Sequence, residues 1–162
     1  MGTDRKTDKE TPLAFRQAVE DTPEIRTGYC NGLQALGANA RLVAAEDTRK
    51  LEGSVDIDAC VHDLYPNDAR WDYAVGYEGK AYFLEIHPAS TSNVKEMMKK
   101  AEWLTGWLNE KAPALKAMAA GKVYYWLASG KQSILSNSPQ YRKLSQSRIR
   151  LVSNCRLPLI KG

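Results

Sequence analysis

Residues 55–88, VDIDACVHDLYPNDARWDYAVGYEGKAYFLEIHP, decide how the chain is read. From Trp71 to Tyr77 the side chains alternate, placing Tyr73, Val75 and Tyr77 on one face of an expected strand and Asp72, Ala74 and Gly76 on the other. Glu78-Gly79-Lys80 predicts a tight reversal. A second strand is expected from Ala81 to His87, with Tyr82, Leu84 and Ile86 on one face and Phe83, Glu85 and His87 on the opposite one. In an antiparallel hairpin the start of the first strand lies beside the end of the second. Asp72 would then sit next to Glu85 and His87.

An Asp opening one strand, twelve intervening residues, and then Glu85-Ile86-His87 on the next strand resembles the PD-(D/E)XK nuclease superfamily, whose fold is the restriction-endonuclease-like one. Trp71 stands where that superfamily often has Pro, and His87 where it most often has Lys. The resemblance implies an α/β domain with a mixed central sheet of about four to five strands flanked by helices. It also implies metal-dependent hydrolysis of phosphodiester bonds in nucleic acid. On that reading Asp72 and Glu85 hold Mg²⁺ or Mn²⁺ through oxygen ligands. Asp58 is the candidate third carboxylate, with Asp56 behind it. His87 would replace the lysine that orients or activates the water, although a neutral imidazole lacks the permanent charge of an ammonium. Lys95 or Lys99, early in the following helix, are candidates to supply that cation. The implied partner is nucleic acid, DNA ahead of RNA. A homodimer is compatible with the sequence but not required by it.

Composition sets the frame for this reading. A chain of 162 residues with 43% hydrophobic content is enough for one domain with a core. That domain is expected over residues 12–162, and the polar stretch 1–11 is read as a disordered tether. No run of about 18 apolar residues is present to span a bilayer, and no secretory leader is recognisable. A soluble cytoplasmic protein without a membrane partner is the expectation. Cys30, Cys60 and Cys155 are odd in number and widely spaced, which suits a reducing compartment better than a disulfide framework.

Charge is unevenly distributed. Residues 1–110 hold 13 Lys/Arg against 19 Asp/Glu, whereas residues 111–162 hold ten Lys/Arg and no acid. Carboxylates to bind a cation beside a basic segment to bind phosphate suit an enzyme acting on a polyanion. A solvated basic face would leave the same count.

The remaining elements follow from periodicity and breakers. Helices are expected at about Leu13 to Glu20 and, weakened by Gly28 and Gly32, at about Pro23 to Leu36. Arg41 to Ala45 reads as a short strand or a helix tail. Ser54 to Val61 alternates like a strand with an acidic face, Ser54, Asp56, Asp58 and Cys60, continuing to His62. Asp58, Cys60 and His62 would permit a transition-metal site, but same-face residues about 7 Å apart along a strand make three such ligands awkward. Leu64 to Arg70 is turn-rich. Val94, Met97, Met98, Ala101, Leu104, Trp107 and Leu108 make the apolar stripe of a helix whose polar side carries Lys95, Lys99 and Glu102. Val123 to Ala128 reads as a buried strand, Ser138 to Leu144 as a short helix and Arg148 to Val152 as a last strand. There is no phosphate-binding glycine loop, nucleophile elbow or paired CxxC. Three readings stay open: a metal-dependent nuclease, a catalytically silent nuclease-like module that binds nucleic acid or a protein, and a structural α/β domain.

Overall fold

A computed structural model describes residues 14–159. In chain order it has a helix over 14–20 (α1), strands Val43–Ala45 (β1) and Leu51–Asp56 (β2), and helix Ile57–Val61 (α2). Strands Tyr73–Tyr77 (β3) and Lys80–His87 (β4) follow, then helices Val94–Glu110 (α3) and Pro113–Ala117 (α4). The chain closes with strand Tyr124–Ala128 (β5), helix Pro139–Ser145 (α5) and strands Ile149–Val152 (β6) and Cys155–Leu157 (β7). The tether expected over 1–11 lies outside the described residues.

The expected hairpin forms, with Tyr77 paired to Lys80 around a two-residue turn. Glu78 and Gly79 both take positive φ, +48° and +78°, the conformation that matches a tight turn to the right-handed twist of its strands. β2, β3 and β4 form an antiparallel meander, and α3 carries the chain across to β5, which pairs parallel to β4. β6 adds in parallel on the far side of β5, so the main sheet runs β2-β3-β4-β5-β6. The architecture is therefore α/β with a mixed five-stranded sheet flanked by helices.

Both faces of this sheet are covered, and the alternation of the strands decides which residue meets which cover. Ala74, Phe83 and Trp126 face a layer that includes Phe15 and Val19 of α1, Ile57 and Val61 of α2, and Met97, Leu104 and Trp107 of α3. Val75, Tyr77, Tyr82, Leu84, Tyr125 and Leu127 face the other way. There they meet Leu36, Val43, Cys155 and Leu157. Each such large side chain withdrawn from water contributes about 1.5–3 kcal/mol. Glu85 has the same parity as Phe83, and so projects into the helical layer under α3.

Two expectations change, and one open alternative is decided. The strand expected from Ser54 to Val61 stops at Asp56, whose carboxylate accepts a 2.8 Å hydrogen bond from Ala59 N–H and caps α2. Ile57 and Val61 are both fully buried, and their spacing of four serves a helix as well as a strand. The continuous helix expected over about Pro23 to Leu36 is instead two 3₁₀ segments, Pro23–Ile25 and Gln34–Leu42, with Cys30 between them paired to Ser54. At Gly28 the chain passes so close to α2 that a Cβ would lie 2.3 Å from Cys60 Sγ. Finally, Val43–Ala45 does become a strand, but in a separate two-stranded parallel sheet with β7. That pair forms part of the second cover and was not expected. Among the described residues no helix is long and apolar enough to cross a membrane.

Candidate functional site

The β3–β4 register brings Tyr73 opposite Leu84, so the next pair outward is Asp72 and Glu85. Each carboxylate accepts from a backbone N–H of the facing segment. Asp72 N–H donates to Glu85 Oε1 at 2.9 Å, and Ile86 N–H donates to Asp72 Oδ2 at 3.4 Å. Asp72 is half-buried, while Glu85 is 1% exposed. A carboxylate at that depth needs a partner. It finds one in Lys100 of α3, whose Nζ lies 2.9 Å from Glu85 Oε2 and also donates to Arg70 O at 2.9 Å.

The electrostatics follow from this enclosure. Burial, reinforced by the Asp72 charge and opposed by Lys100, pushes the Glu85 carboxyl up to about 8. Burial also raises Asp72, against the pull of Lys100 and of a hydrogen bond with Glu85. Burial alone would lower Lys100, but the charge and hydrogen bond of Glu85, joined by Asp72 and Glu96, more than offset it and hold the ammonium above its usual range. Asp56, just behind, is raised by burial and by its neighbours Asp58 and Asp72, although its bond from Ala59 opposes the shift. Of these acids Lys100 contacts only Glu85, the innermost.

The other candidates stand elsewhere. Asp58, on α2 and not on a strand, is bound by Arg70 Nε at 2.7 Å, and that guanidinium also donates to Tyr65 O at 2.6 Å. Backbone links keep it close, because Asp72 O accepts from Ile57 N–H at 2.8 Å and from Asp58 N–H at 3.4 Å. His87 shares the Glu85 face, but its Nε2 lies 3.5 Å from Glu96 Oε1, its Nδ1 lies 3.0 Å from Pro88 O, and its ring stands edge-on to Trp126. Among the described residues it has no hydrogen bond to Asp72 or Glu85. His62 is exposed, with its Nδ1 3.2 Å from Asp63 Oδ1. Lys95 and Lys99 point to solvent on the outer face of α3. Another buried acid, Glu52, accepts backbone bonds from Phe15 and Gly79, tying α1 to the hairpin turn.

Lys100 is the residue that reading for motifs passes over. A signal for it exists: it lies three residues after Met97, four before Leu104 and seven before Trp107, all buried, which puts it on the border of the apolar stripe. A lysine there bends its stem along the core and delivers its charge inward.

A hard dication suits the donors present. Asp72 and Glu85 offer only oxygen, and Mg²⁺ is commonly held by one or two carboxylates with water and phosphate completing the shell. Burial is the main cause that raises both acids, and a bound cation would favour their ionised forms against it. Among the described residues no group of three or more His, Cys, Asp and Glu is placed to hold a metal, so the Asp58-Cys60-His62 arrangement does not assemble. Comparison with protein-family models, with curated proteins and with solved structures gave no match.

Proposed function

We propose that the chain is a metal-dependent phosphodiesterase of the PD-(D/E)XK type acting on nucleic acid, with Asp72, Glu85 and Lys100 as its working set. The observation that carries this reading is the convergence of one half-buried carboxyl, one buried carboxyl and one ammonium from three different elements, with Lys100 Nζ 2.9 Å from Glu85 Oε2. The topology supports it too: a helix, an antiparallel meander, a crossover helix and a parallel strand are the order that the restriction-endonuclease-like resemblance implies.

Asp72 and Glu85 would be the protein ligands of Mg²⁺ or Mn²⁺. When bound, the ion would supply Lewis acidity toward the phosphoryl oxygen and a more acidic water. Lys100 takes the role that the motif would give to His87, from α3 rather than from the strand. Its ammonium is held above its usual range by Glu85 and stays charged, so it can position a water and stabilise charge on a phosphate oxygen. The low dielectric around Glu85 strengthens that interaction. His87, engaged with Glu96, is left outside the set, and Asp58 is left to Arg70.

A second reading is favoured by one observation. Both oxygens of Glu85 already accept hydrogen bonds, one from Asp72 N–H and one from Lys100. A site so satisfied also suits a silent module that keeps the fold and binds nucleic acid without cutting it.

The deciding experiment is cleavage of labelled single- and double-stranded DNA and RNA with Mn²⁺, run beside Asp72→Asn and Lys100→Met proteins whose folding is checked by circular dichroism. Cleavage by the parent that both variants lack supports the nuclease. Equal cleavage by all three sinks it. Absence of cleavage in the parent, with binding retained, leaves the silent module.

A further inference from the structure

We propose that the flank of α3 opposite the carboxylate pair is a trench for the phosphate backbone of a nucleic-acid strand. The inference rests on the proposed function only for the class of partner. Between α3 and α5 lies an open cleft of about 670 Å³, walled by Lys95, Lys99, Lys143 and Arg148 over a floor that includes Val94 and Met98. A second cleft of about 260 Å³, with Lys116 and Lys122 on its rim, meets the first at Thr105 and Arg148. Together they follow α3 from Val94 to Asn109, about 22 Å at the helical rise of 1.5 Å per residue.

Charge identifies the occupant. Six cations border the trench against a single acid, Glu102, and among the described residues none of the six is in an ion pair. All six side chains are exposed. Lys95 and Lys99 stand at the i,i+4 spacing where like charges weaken a helix, so the fold gains nothing from the arrangement. Arg148 is held in place, its guanidinium 5.5 Å from the Tyr124 ring centroid and its Nη1 3.5 Å from the Tyr124 hydroxyl. That hydroxyl is in turn 2.8 Å from Thr105 Oγ1. A compact anion would need two or three of these charges. A row of six along about 22 Å fits a linear polyanion, and about six base-pair steps of duplex span the same length at 3.4 Å each. Gln140, Ser147 and Thr105 add uncharged hydrogen-bonding groups of the kind that contact phosphate and sugar oxygens. The concavity disfavours a membrane surface.

The test is fluorescence anisotropy of short labelled single-stranded and duplex oligonucleotides in EDTA, over a salt series. It compares the parent with Lys95→Gln/Lys99→Gln/Lys143→Gln, and with a control of equal charge, Lys80→Gln/Lys111→Gln/Lys131→Gln. These lysines are all exposed, so both variants should fold. The trench variant is expected to bind at least tenfold more weakly, with a log–log salt slope shallower by about 2 to 3, as each lost phosphate contact removes about 0.7 to 0.9. The control should keep the parent slope to within about one contact. Equal losses in both variants would mean diffuse charge attraction and overturn the trench. So would tight, variant-sensitive binding of poly-glutamate with no oligonucleotide binding, which would assign the groove to an acidic peptide. The failure of the two readings is separable because EDTA excludes cleavage. Trench-dependent binding by a protein inert with Mn²⁺ keeps this inference and removes the nuclease; Mn²⁺-dependent cleavage with trench-independent binding does the reverse.

Discussion

Replacing Glu85 by Gln removes one titrating proton from the interior while keeping a carbonyl oxygen for the Asp72 N–H to donate to. In the parent, burial and the Asp72 charge, opposed by Lys100, carry this carboxyl from its ordinary 4.5 to about 8. Between those two values the folded chain keeps a proton that the unfolded chain has released. The stability this contributes is complete below the unfolded pKa and is lost as pH rises through the folded one. At 1.36 kcal/mol per pH unit the full interval is worth about 5 kcal/mol, and about 4 kcal/mol of it falls between pH 5 and pH 8. Urea unfolding of both proteins across that range measures it directly. The parent should lose about 4 kcal/mol relative to Glu85→Gln on going from pH 5 to pH 8. Two parallel profiles, with a constant gap, would refute the reasoning, since they would mean that Lys100 keeps Glu85 ionised throughout. Added Mn²⁺, if it binds here, should flatten the parent's slope, because a cation favours the ionised carboxylate.

Three further outcomes are expected. Lys100→Met removes the charge that opposes the shift of Glu85, so its fall in stability should continue above pH 8 where the parent's levels off, visible in the same urea series. Asp58→Asn should cost about 1 kcal/mol by weakening the pair with Arg70, a drop of about 2–4 °C in Tm; if the nuclease reading holds with Asp58 outside the metal shell, Mn²⁺-dependent cleavage should stay within about twofold of the parent, a change of under 0.5 kcal/mol in the barrier. Gly76→Ala places a Cβ 2.4 Å from Phe15 Cγ in a packed layer, and should lower stability by about 1–3 kcal/mol in thermal melts, with an unchanged Tm showing that α1 can yield at that contact.

The hairpin was legible because its signals are local. The parity of Tyr82, Leu84 and Ile86 against Phe83, Glu85 and His87 is a property of any strand, and Gly79 supplies a turn that needs positive φ. The stripe on α3 was legible for the same reason: Met97, Ala101, Leu104 and Leu108 are buried as the spacing requires. The stretch from Asp56 to Val61 was not, because Val55, Ile57, Ala59 and Val61 satisfy a period of two, and Ile57 and Val61 also satisfy a period of four. The carboxylate of Asp56, capping Ala59 N–H, tips the choice toward a helix. That one turn removes Asp58 from the strand face and gives it to Arg70.

The sequence by itself determined the hairpin and the placing of Asp72 beside Glu85, since these depend on periodicity and turn chemistry within a few residues. Tertiary structure decided what the carboxylates meet. Once Glu85 lies beneath a helix, the closest charge is the lysine bordering the buried stripe, Lys100, rather than the solvent-facing Lys95 and Lys99 or the strand neighbour His87. The same packing sets α3 against α5, so that lysines far apart in the chain border one trench. Which charges become neighbours is settled by the docking of elements across the sheet, and local pattern carries no record of that distance.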